Sequence, residues 1–157
     1  MDCLFCKIGT KEISAKIVEE SKFFLGFLDI NPCSAGHSVV IPKNHYENFL
    51  ELPKSFGDEF VEICQKVVKK LTDGLKTAHF TIGINEGKLA GRAIDHLHLH
   101  IIPRFEGDKG GSIHSVVRNK IDKTIDEVYD IIFTYIYPSA GVLHFKFYTM
   151  GVSAKRK

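Results

Sequence analysis

The sequence predicts an α+β fold in which an antiparallel sheet of about five strands carries a long helix on one side. Two observations support this fold class: short apolar segments of strand length recur along the chain, and one long segment has helical periodicity. A chain of 157 residues is long enough for about one domain with its own core. Its composition, with 44% apolar and 25% charged residues, is typical of a soluble globular protein.

The predicted elements follow one another in a simple order. Residues 16–20 and 23–30 are predicted to form a hairpin, and residues 37–42 a third strand. The helix opens at residues 52–55, and its apolar stripe recurs at three- and four-residue steps through Phe56, Phe60, Ile63, Cys64, Val67, Val68, Leu71 and Leu75. Residues 79–85 and 96–102 are expected to be antiparallel neighbours, joined by a glycine-containing loop.

The composition changes beyond residue 106. Glycines mark a loop at 107–111, a helix is expected over about 115–135, and residues 142–150 are compatible with a further strand. We therefore assign residues 1–106 to one domain and residues 107–157 to a carboxy-terminal extension packed on it.

Charge and apolar content argue against several classes of partner. The net charge of +2 is too small to indicate nucleic acid or a membrane surface. No apolar run approaches the roughly 20 residues of a membrane span, and the amino end lacks a basic stretch followed by an apolar one. We expect a cytoplasmic protein with neither nucleic acid nor membrane as a partner.

Three histidines alternate with apolar residues between positions 96 and 101, which is the period of a β-strand. On such a strand the imidazoles share one face, about 6.6 Å apart from Cα to Cα, so that the row can hold one phosphate or metal ion. Neutral imidazole is a nitrogen nucleophile, and a neighbouring ring can donate a hydrogen bond to phosphate. The pattern suits phosphoryl or nucleotidyl transfer, with the central His98 as the expected nucleophile.

Cys3 and Cys6 form a C-x-x-C pair, which in a cytosolic chain indicates metal or redox chemistry before a structural disulfide. Two thiolates and two histidines would complete a closed tetrahedral metal site. The spacing leaves open which histidines complete it: the three of the row, His45, His79, His114 or His144.

The segment 96–102 fits the His-φ-His-φ-His-φ-φ signature, in which φ is apolar, and the chain resembles the histidine-triad (HIT) superfamily of nucleotidyl hydrolases and transferases. Residues 27–32, 36–43 with His45, and 85–87 match the family's other motifs in the usual order. The resemblance runs from Cys3 to about Arg104. It implies a HIT-like fold for residues 1–106 and a homodimer.

The resemblance also implies roles for individual residues. His98 would attack the α-phosphate of a purine nucleotide and become transiently nucleotidylated, before water releases a nucleoside monophosphate. His100 and His37 would contact that phosphate. The implied substrate-binding residues are Phe27 and Ile30 at the base, Asp29 at the ribose hydroxyls, and Asn85 and Gly91 at the phosphates and ribose. The implied ligands of a structural zinc ion are Cys3, Cys6, His45 and His96.

The chain departs from the family in the loop before the triad. Arg92 and Ala93 stand where many relatives have glutamine and then serine or threonine. Ala93 cannot assist the phosphate, whereas Arg92 can give a polyphosphate a cationic contact. Asp95 is either a carboxylate supporting a histidine or an exposed residue.

These observations favour a hydrolase that cleaves a dinucleoside polyphosphate or a nucleoside phosphoramidate at the α-phosphate. Three alternatives stay open at this point. A transferase would pass the nucleotidyl group to a phosphate acceptor, a non-catalytic sensor would only bind nucleotide, and the C-x-x-C pair could act in redox chemistry.

Overall fold

The structure is a computed structural model and describes residues 2–119 and 121–136. The chain divides into two compact units, one ending at Val116 and the other beginning at Val117, so that residues 107–116 group with the first unit. No helix in the described part of the chain is long and apolar enough to cross a membrane. The strand expected over residues 142–150 lies outside the described residues, and the packing of the extension stays a prediction.

The first unit contains a five-stranded antiparallel sheet, which confirms the predicted fold class. Its spatial order is β1-β2-β3-β5-β4. The strands are β1 Ile17–Glu20, β2 Phe24–Leu28, β3 Ser38–Pro42, β4 Phe80–Ile84 and β5 Leu99–Pro103. The hairpin of β1 with β2 and the pairing of β4 with β5 are both as predicted.

Helices cover both faces of this sheet. The long helix α2, Gly57–Leu75, packs on one face, where its residues Ile63, Val67 and Leu71 meet Phe24, Val40 and Ile101. A shorter helix, α1, spans Leu4–Gly9 and packs on the opposite face, where Phe5 and Ile8 meet Leu25, Phe27, Val39 and Ile41. Alternate strand residues point to opposite faces, which is why consecutive apolar residues serve both cores. The sequence did not predict α1 because six residues are too few to display helical periodicity.

The histidine segment is only partly a strand, which corrects the prediction of one strand over residues 96–102. β5 begins at Leu99, so His96 and His98 precede it and only His100 lies in the ladder. The backbone N–H of His96 donates to the carbonyl of Ile94 at 2.8 Å, and the N–H of Leu97 donates to Tyr46 at 2.6 Å. These groups therefore bond to a local turn and to the loop after β3.

Two predicted helices begin later than expected. α2 starts at Gly57, after short 3₁₀ turns over Phe49–Glu51 and Lys54–Phe56. In the second unit, α3 spans Ile125–Ile136 rather than beginning near residue 115. A capping box sets its start, because Thr124 Oγ1 accepts from the Glu127 N–H at 3.2 Å while the Glu127 carboxylate accepts from the Thr124 N–H at 2.7 Å.

Gly36 directs the chain into β3 just before His37. Its φ of +81° lies in the left-handed region, and a Cβ placed there would lie 2.4 Å from Leu75 Cδ1 at the end of α2. Only a residue without a Cβ combines this backbone conformation with this close approach to the helix.

We expect Gly36→Ala to lower the free energy of unfolding by about 2–4 kcal/mol, because it adds left-handed strain to overpacking against Leu75. Gly74→Ala is the matched control. Gly74 lies inside α2 with open space at its Cβ position, so alanine there should raise stability by up to about 1 kcal/mol. Urea unfolding followed by circular dichroism measures both, and a Gly36→Ala protein as stable as the unmodified chain would contradict this account of the turn.

Candidate active site and metal centre

Four potential metal ligands converge between α1 and the segment that precedes β5. They are the thiols of Cys3 and Cys6 and the imidazoles of His45 and His96, and their ligand atoms all lie within 4.8 Å of one another. Among the histidines that the structure describes, His45 and His96 are thus the two that the fold brings to the cysteines, and His144 lies outside the described residues. Two sulfur and two nitrogen donors in this arrangement fit a closed tetrahedral zinc site.

The buried His96 ring is oriented as a metal ligand requires. Its Nε2 lies 2.9 Å from the carbonyl oxygen of Pro42, which only accepts hydrogen bonds, so Nε2 carries the proton. The lone pair on Nδ1 therefore faces the sulfurs of Cys3 and Cys6, at 3.4 and 3.5 Å. Burial lowers the pKa of His96 to about 4, which keeps the ring neutral. A carbonyl partner on the distal nitrogen is the usual support of a ligating histidine.

His98 is held with one particular nitrogen free. Its Nδ1 lies 2.7 Å from the carbonyl oxygen of His96, so the tautomer with the proton on Nδ1 is favoured, and in that tautomer Nε2 keeps its lone pair. The ring is 5% exposed and packs edge-on against Phe5 and His100, with ring centroids 5.2 and 4.9 Å away. The packing and the hydrogen bond together fix the orientation of the ring and leave Nε2 as the nitrogen that does not bond to the His96 carbonyl.

Hydrogen bonds also determine which ring nitrogens of His37 and His100 carry a proton. The backbone N–H of Cys33 donates to Nδ1 of His37 at 3.3 Å, so a neutral His37 carries its proton on Nε2. That Nε2 lies 2.9 Å from Nδ1 of His100 and donates to it, which leaves the His100 proton on its own Nε2. The carboxylate of Asp29 lies 3.7 Å from His37 Nε2. The chain of bonds ends in an N–H donor at His100.

Burial keeps both of these rings neutral. It lowers the pKa of His37 below its usual value, and the carboxylate of Asp29 opposes that shift only in part. Burial also lowers the pKa of His100 to about 4, with the neighbouring imidazoles of His98 and His37 as further causes. At neutral pH the order of donors and acceptors is therefore maintained.

A cleft of about 610 Å³ opens over His37 and His100. Its lining comes from the loop before β3, from β4 and β5, from Asn85 and Ala90, and from the segment 108–116. Gly83 lies opposite His100 in the β4–β5 ladder, and a Cβ at that position would meet nothing within 4 Å. Glycine thus leaves room for a ligand beside the His100 ring.

The structure places the predicted substrate-binding residues in different surroundings. Asn85 lines the cleft, and a Cβ at Gly91 would lie 3.9 Å from its side-chain nitrogen. Asp29 lines a smaller depression of about 330 Å³. Phe27 is 3% exposed and belongs to the core under α1, whereas Ile30 is 84% exposed. The roles that the resemblance implies for these residues stay predictions.

Arg92 is engaged in a network away from the cleft. One guanidinium nitrogen donates to the backbone carbonyl of Glu47 and the side chain of Asn48, both at 2.9 Å, and another lies 3.1 Å from the carboxylate of Asp95. The carboxylate of Glu86 lies 3.9 Å from the first of these two guanidinium nitrogens. Arg92 thus joins the loop before the histidine segment to the loop that carries His45, and Asp95 is its ion-pair partner.

Several residues of the site were not predicted from the sequence. Phe5 supports two imidazoles from α1, and Cys33 contributes the N–H that orients His37. Arg104 and Asp108 pair at the far end of the cleft, with Nε–Oδ2 at 2.6 Å. A signal for that pair was present in the four-residue spacing of opposite charges beside a glycine-containing loop, whereas the other two contacts depend on tertiary packing alone.

The similarity to known proteins is extensive. Residues 10–107 match the family described as HIT domain. A HIT-like protein of Methanocaldococcus jannaschii, itself uncharacterised, is 44% identical over 132 residues, covering 78% of this chain and 98% of that protein. The adenosine 5'-monophosphoramidase of Saccharomyces cerevisiae is 35% identical over 108 residues, covering 69% of this chain and 66% of that enzyme.

Solved structures show the same relationship. The crystal structure of a HIT family member from Bacillus subtilis covers 87% of this chain and 96% of its own, with a TM-score of 0.75 and 29% identity. That of a zinc-bound histidine triad family protein from Mycobacterium smegmatis covers 78% and 85%, with a TM-score of 0.64 and 32% identity. With the HIT domain matched over all five strands of the described sheet, and with three alternating histidines at 96, 98 and 100, this chain belongs to the HIT family.

Proposed function

We propose that this protein is a nucleotidyl hydrolase that cleaves a purine nucleotide at its α-phosphate and releases a nucleoside monophosphate. The observation that carries the proposal is the fixed tautomer of His98, whose Nδ1 proton is held by the His96 carbonyl at 2.7 Å. A neutral imidazole with a free Nε2 lone pair is a nucleophile at neutral pH. The adenosine 5'-monophosphoramidase activity named for the yeast relative is the same class of reaction.

The proposed reaction has two displacements at one phosphorus atom. Nε2 of His98 forms a bond to the α-phosphorus, and the bond from phosphorus to the leaving nitrogen or oxygen breaks. The leaving group departs with the bonding electron pair and takes a proton from solvent. Water then attacks the same phosphorus, loses a proton to solvent, and the bond to His98 breaks, which restores the lone pair.

His100 and His37 support both displacements. The Nε2–H of His100 donates to a phosphate oxygen as negative charge builds on it, and the bond from His37 keeps the His100 proton on that nitrogen. Because both rings are neutral, they contribute donors in fixed positions rather than net charge. Asp29 is proposed to bind the ribose hydroxyls, next to His37.

A phosphoramidate substrate is favoured over a dinucleoside polyphosphate. Arg92, the cation that could have contacted a polyphosphate, would have to leave Asp95 and the backbone carbonyl of Glu47 to do so. Transfer of the nucleotidyl group to inorganic phosphate shares the first displacement and differs only in the acceptor. Homodimer formation and a cytoplasmic location stay predictions.

We further propose that Cys3, Cys6, His45 and His96 hold a structural zinc ion. All four positions would be occupied by protein ligands, so zinc bound there would cross-link α1, the loop after β3 and the histidine segment without an open coordination position. Zinc bound there would also hold the His96 carbonyl in place, and this carbonyl orients the His98 ring for the reaction.

We expect His98→Ala to lower kcat/KM for AMP release from adenosine 5'-phosphoramidate by at least about 10³-fold, because the nucleophile is lost. His79→Ala, which removes an exposed histidine outside the cleft, is the control and should stay within about twofold. Protein denatured in alkali during turnover, which preserves a phosphorus–nitrogen bond to histidine, should carry an adenylyl group in the unmodified chain and none in His98→Ala. With inorganic phosphate in the assay, a hydrolase still releases AMP, whereas a transferase that uses phosphate as the acceptor forms ADP. Retention of activity in His98→Ala would rule out the proposed mechanism.

We expect the purified protein to contain about one zinc ion per chain, and Cys6→Ser to lose most of it. Loss of the cross-link should lower Tm by more than about 5 °C. Cys33→Ser, at an exposed cysteine outside the ligand set, is the matched control for metal content. Elemental analysis and thermal unfolding measure the two effects. Equal zinc content in the two variants would contradict the assigned ligand set.

A further inference from the structure

Arg92 is a buried cation that lines neither of the two depressions described above. Its side chain is 10% exposed, and it is absent from the lining of the larger cleft over His100 and of the smaller depression beside Asp29. Its Nε is buried and has no hydrogen-bond partner in the described part of the chain. Because burying a cation and an unpaired donor costs free energy, the guanidinium must be stabilised there through Nη1 and Nη2.

Nη1 of Arg92 is bonded to the loop that follows β3. It donates to the carbonyl oxygen of Glu47 and to Oδ1 of Asn48, both at 2.9 Å. The same loop carries His45, one of the candidate metal ligands. A planar guanidinium presents its donors in a fixed fork, which a lysine ammonium does not. Arg92 therefore holds this loop by geometry as well as by charge.

Nη2 of Arg92 reaches the segment that carries the histidines. It lies 3.1 Å from the carboxylate of Asp95, which directly precedes His96. The carbonyl oxygen of His96 lies 2.7 Å from Nδ1 of His98. Arg92 is thus connected to the His98 ring through Asp95 and the main chain of His96, and it does not contact the ring itself.

A main-chain hydrogen bond joins the same two segments beside Arg92. The N–H of Leu97 donates to the carbonyl oxygen of Tyr46 at 2.6 Å. Leu97 is buried and lies between His96 and His98. The histidine segment is therefore fastened to the loop at two neighbouring points, the Leu97 bond and the bonds of Arg92. When both are present, local opening of the segment has to break both.

The carboxylates around Arg92 are accessible to water. Those of Asp95, Glu47 and Glu86 lie 3.1, 3.8 and 3.9 Å from the guanidinium, and each side chain is about half exposed. Water can therefore solvate them when Arg92 is replaced, and ion pairs with such exposed partners add little to stability. We expect the fold to survive the replacement, so that its effect falls on the local arrangement of the histidine segment.

We infer that Arg92 is a positioning residue, which fastens the histidine segment to the loop after β3 and so keeps His98 aimed at the phosphorus. The inference rests on the proposed function and adds a residue that acts without contacting the substrate. The alternative role is the direct contact with a polyphosphate that the charge of Arg92 suggests. The two roles predict different kinetics.

The kinetic test compares Arg92→Gln and Arg92→Lys on adenosine 5'-phosphoramidate and on diadenosine tetraphosphate, with AMP release giving kcat and KM. On each substrate that the unmodified chain cleaves, both variants should lower kcat about tenfold or more and change KM less than about threefold, because the aim of the nucleophile is altered. Lysine keeps the charge without the fork, so it should not rescue kcat. Arg118→Gln, at an exposed arginine outside both depressions, is the matched control and should stay within about twofold.

Hydrogen exchange followed by NMR tests the same contact without any assay of activity. Arg92→Gln should raise the exchange rate of the Leu97 amide at least about tenfold, because the bond to Tyr46 then opens alone. The amide of Val67, inside α2, should keep its rate. Elemental analysis of the same samples should find equal zinc content in the variant and the unmodified chain.

Three results would overturn the positioning role: an unchanged kcat in both variants, a loss confined to KM for the polyphosphate, or unchanged exchange at Leu97. A loss of kcat that accompanies an equal loss of zinc would also overturn it, since the effect would then arise at the metal centre. Absence of AMP release by the unmodified chain from either substrate overturns the proposed function instead. Exchange at Leu97 still decides in that case whether Arg92 fastens the segment.

Discussion

The hydrogen bond between His98 Nδ1 and the carbonyl oxygen of His96 is the constraint on which the candidate site depends. It joins residues two positions apart, in a segment that has left the regular ladder of the sheet. In a regular strand, main-chain carbonyls are used between strands, so the His96 carbonyl would not be free for this purpose. The late start of β5 at Leu99 is therefore part of how the site is made.

The position of that carbonyl depends in turn on how His96 is fixed. Its ring is fully buried between the Pro42 carbonyl and the two cysteine sulfurs, and Phe5 packs edge-on against it. A metal ion among these donors would stabilise the amino-terminal helix and the histidine segment as one unit. The same histidine thus belongs to the candidate metal centre through its side chain and to the candidate active site through its main chain.

Much of the fold could be predicted from the sequence, because period-two alternation and the stripe of α2 report directly on burial. The site was harder to predict, since sequence spacing shows which histidines share a face but not which nitrogen carries a proton. The Cys33 N–H and the Pro42 carbonyl decide the tautomers of His37 and His96, and main-chain groups carry no sequence signal. Arg92 shows the converse: its charge suggested contact with phosphate, but the carboxylates that the fold gathers around it hold it elsewhere.

The central claim is that His98 presents an unprotonated Nε2. Long-range ¹H–¹⁵N correlation spectra of the uniformly ¹⁵N-labelled protein at neutral pH test it most directly, with His98→Gln supplying the assignment. The account predicts a neutral ring protonated on Nδ1, with the Nε2 resonance in the range of a nitrogen that bears a lone pair. A ring protonated on Nε2, or on both nitrogens at that pH, would contradict it.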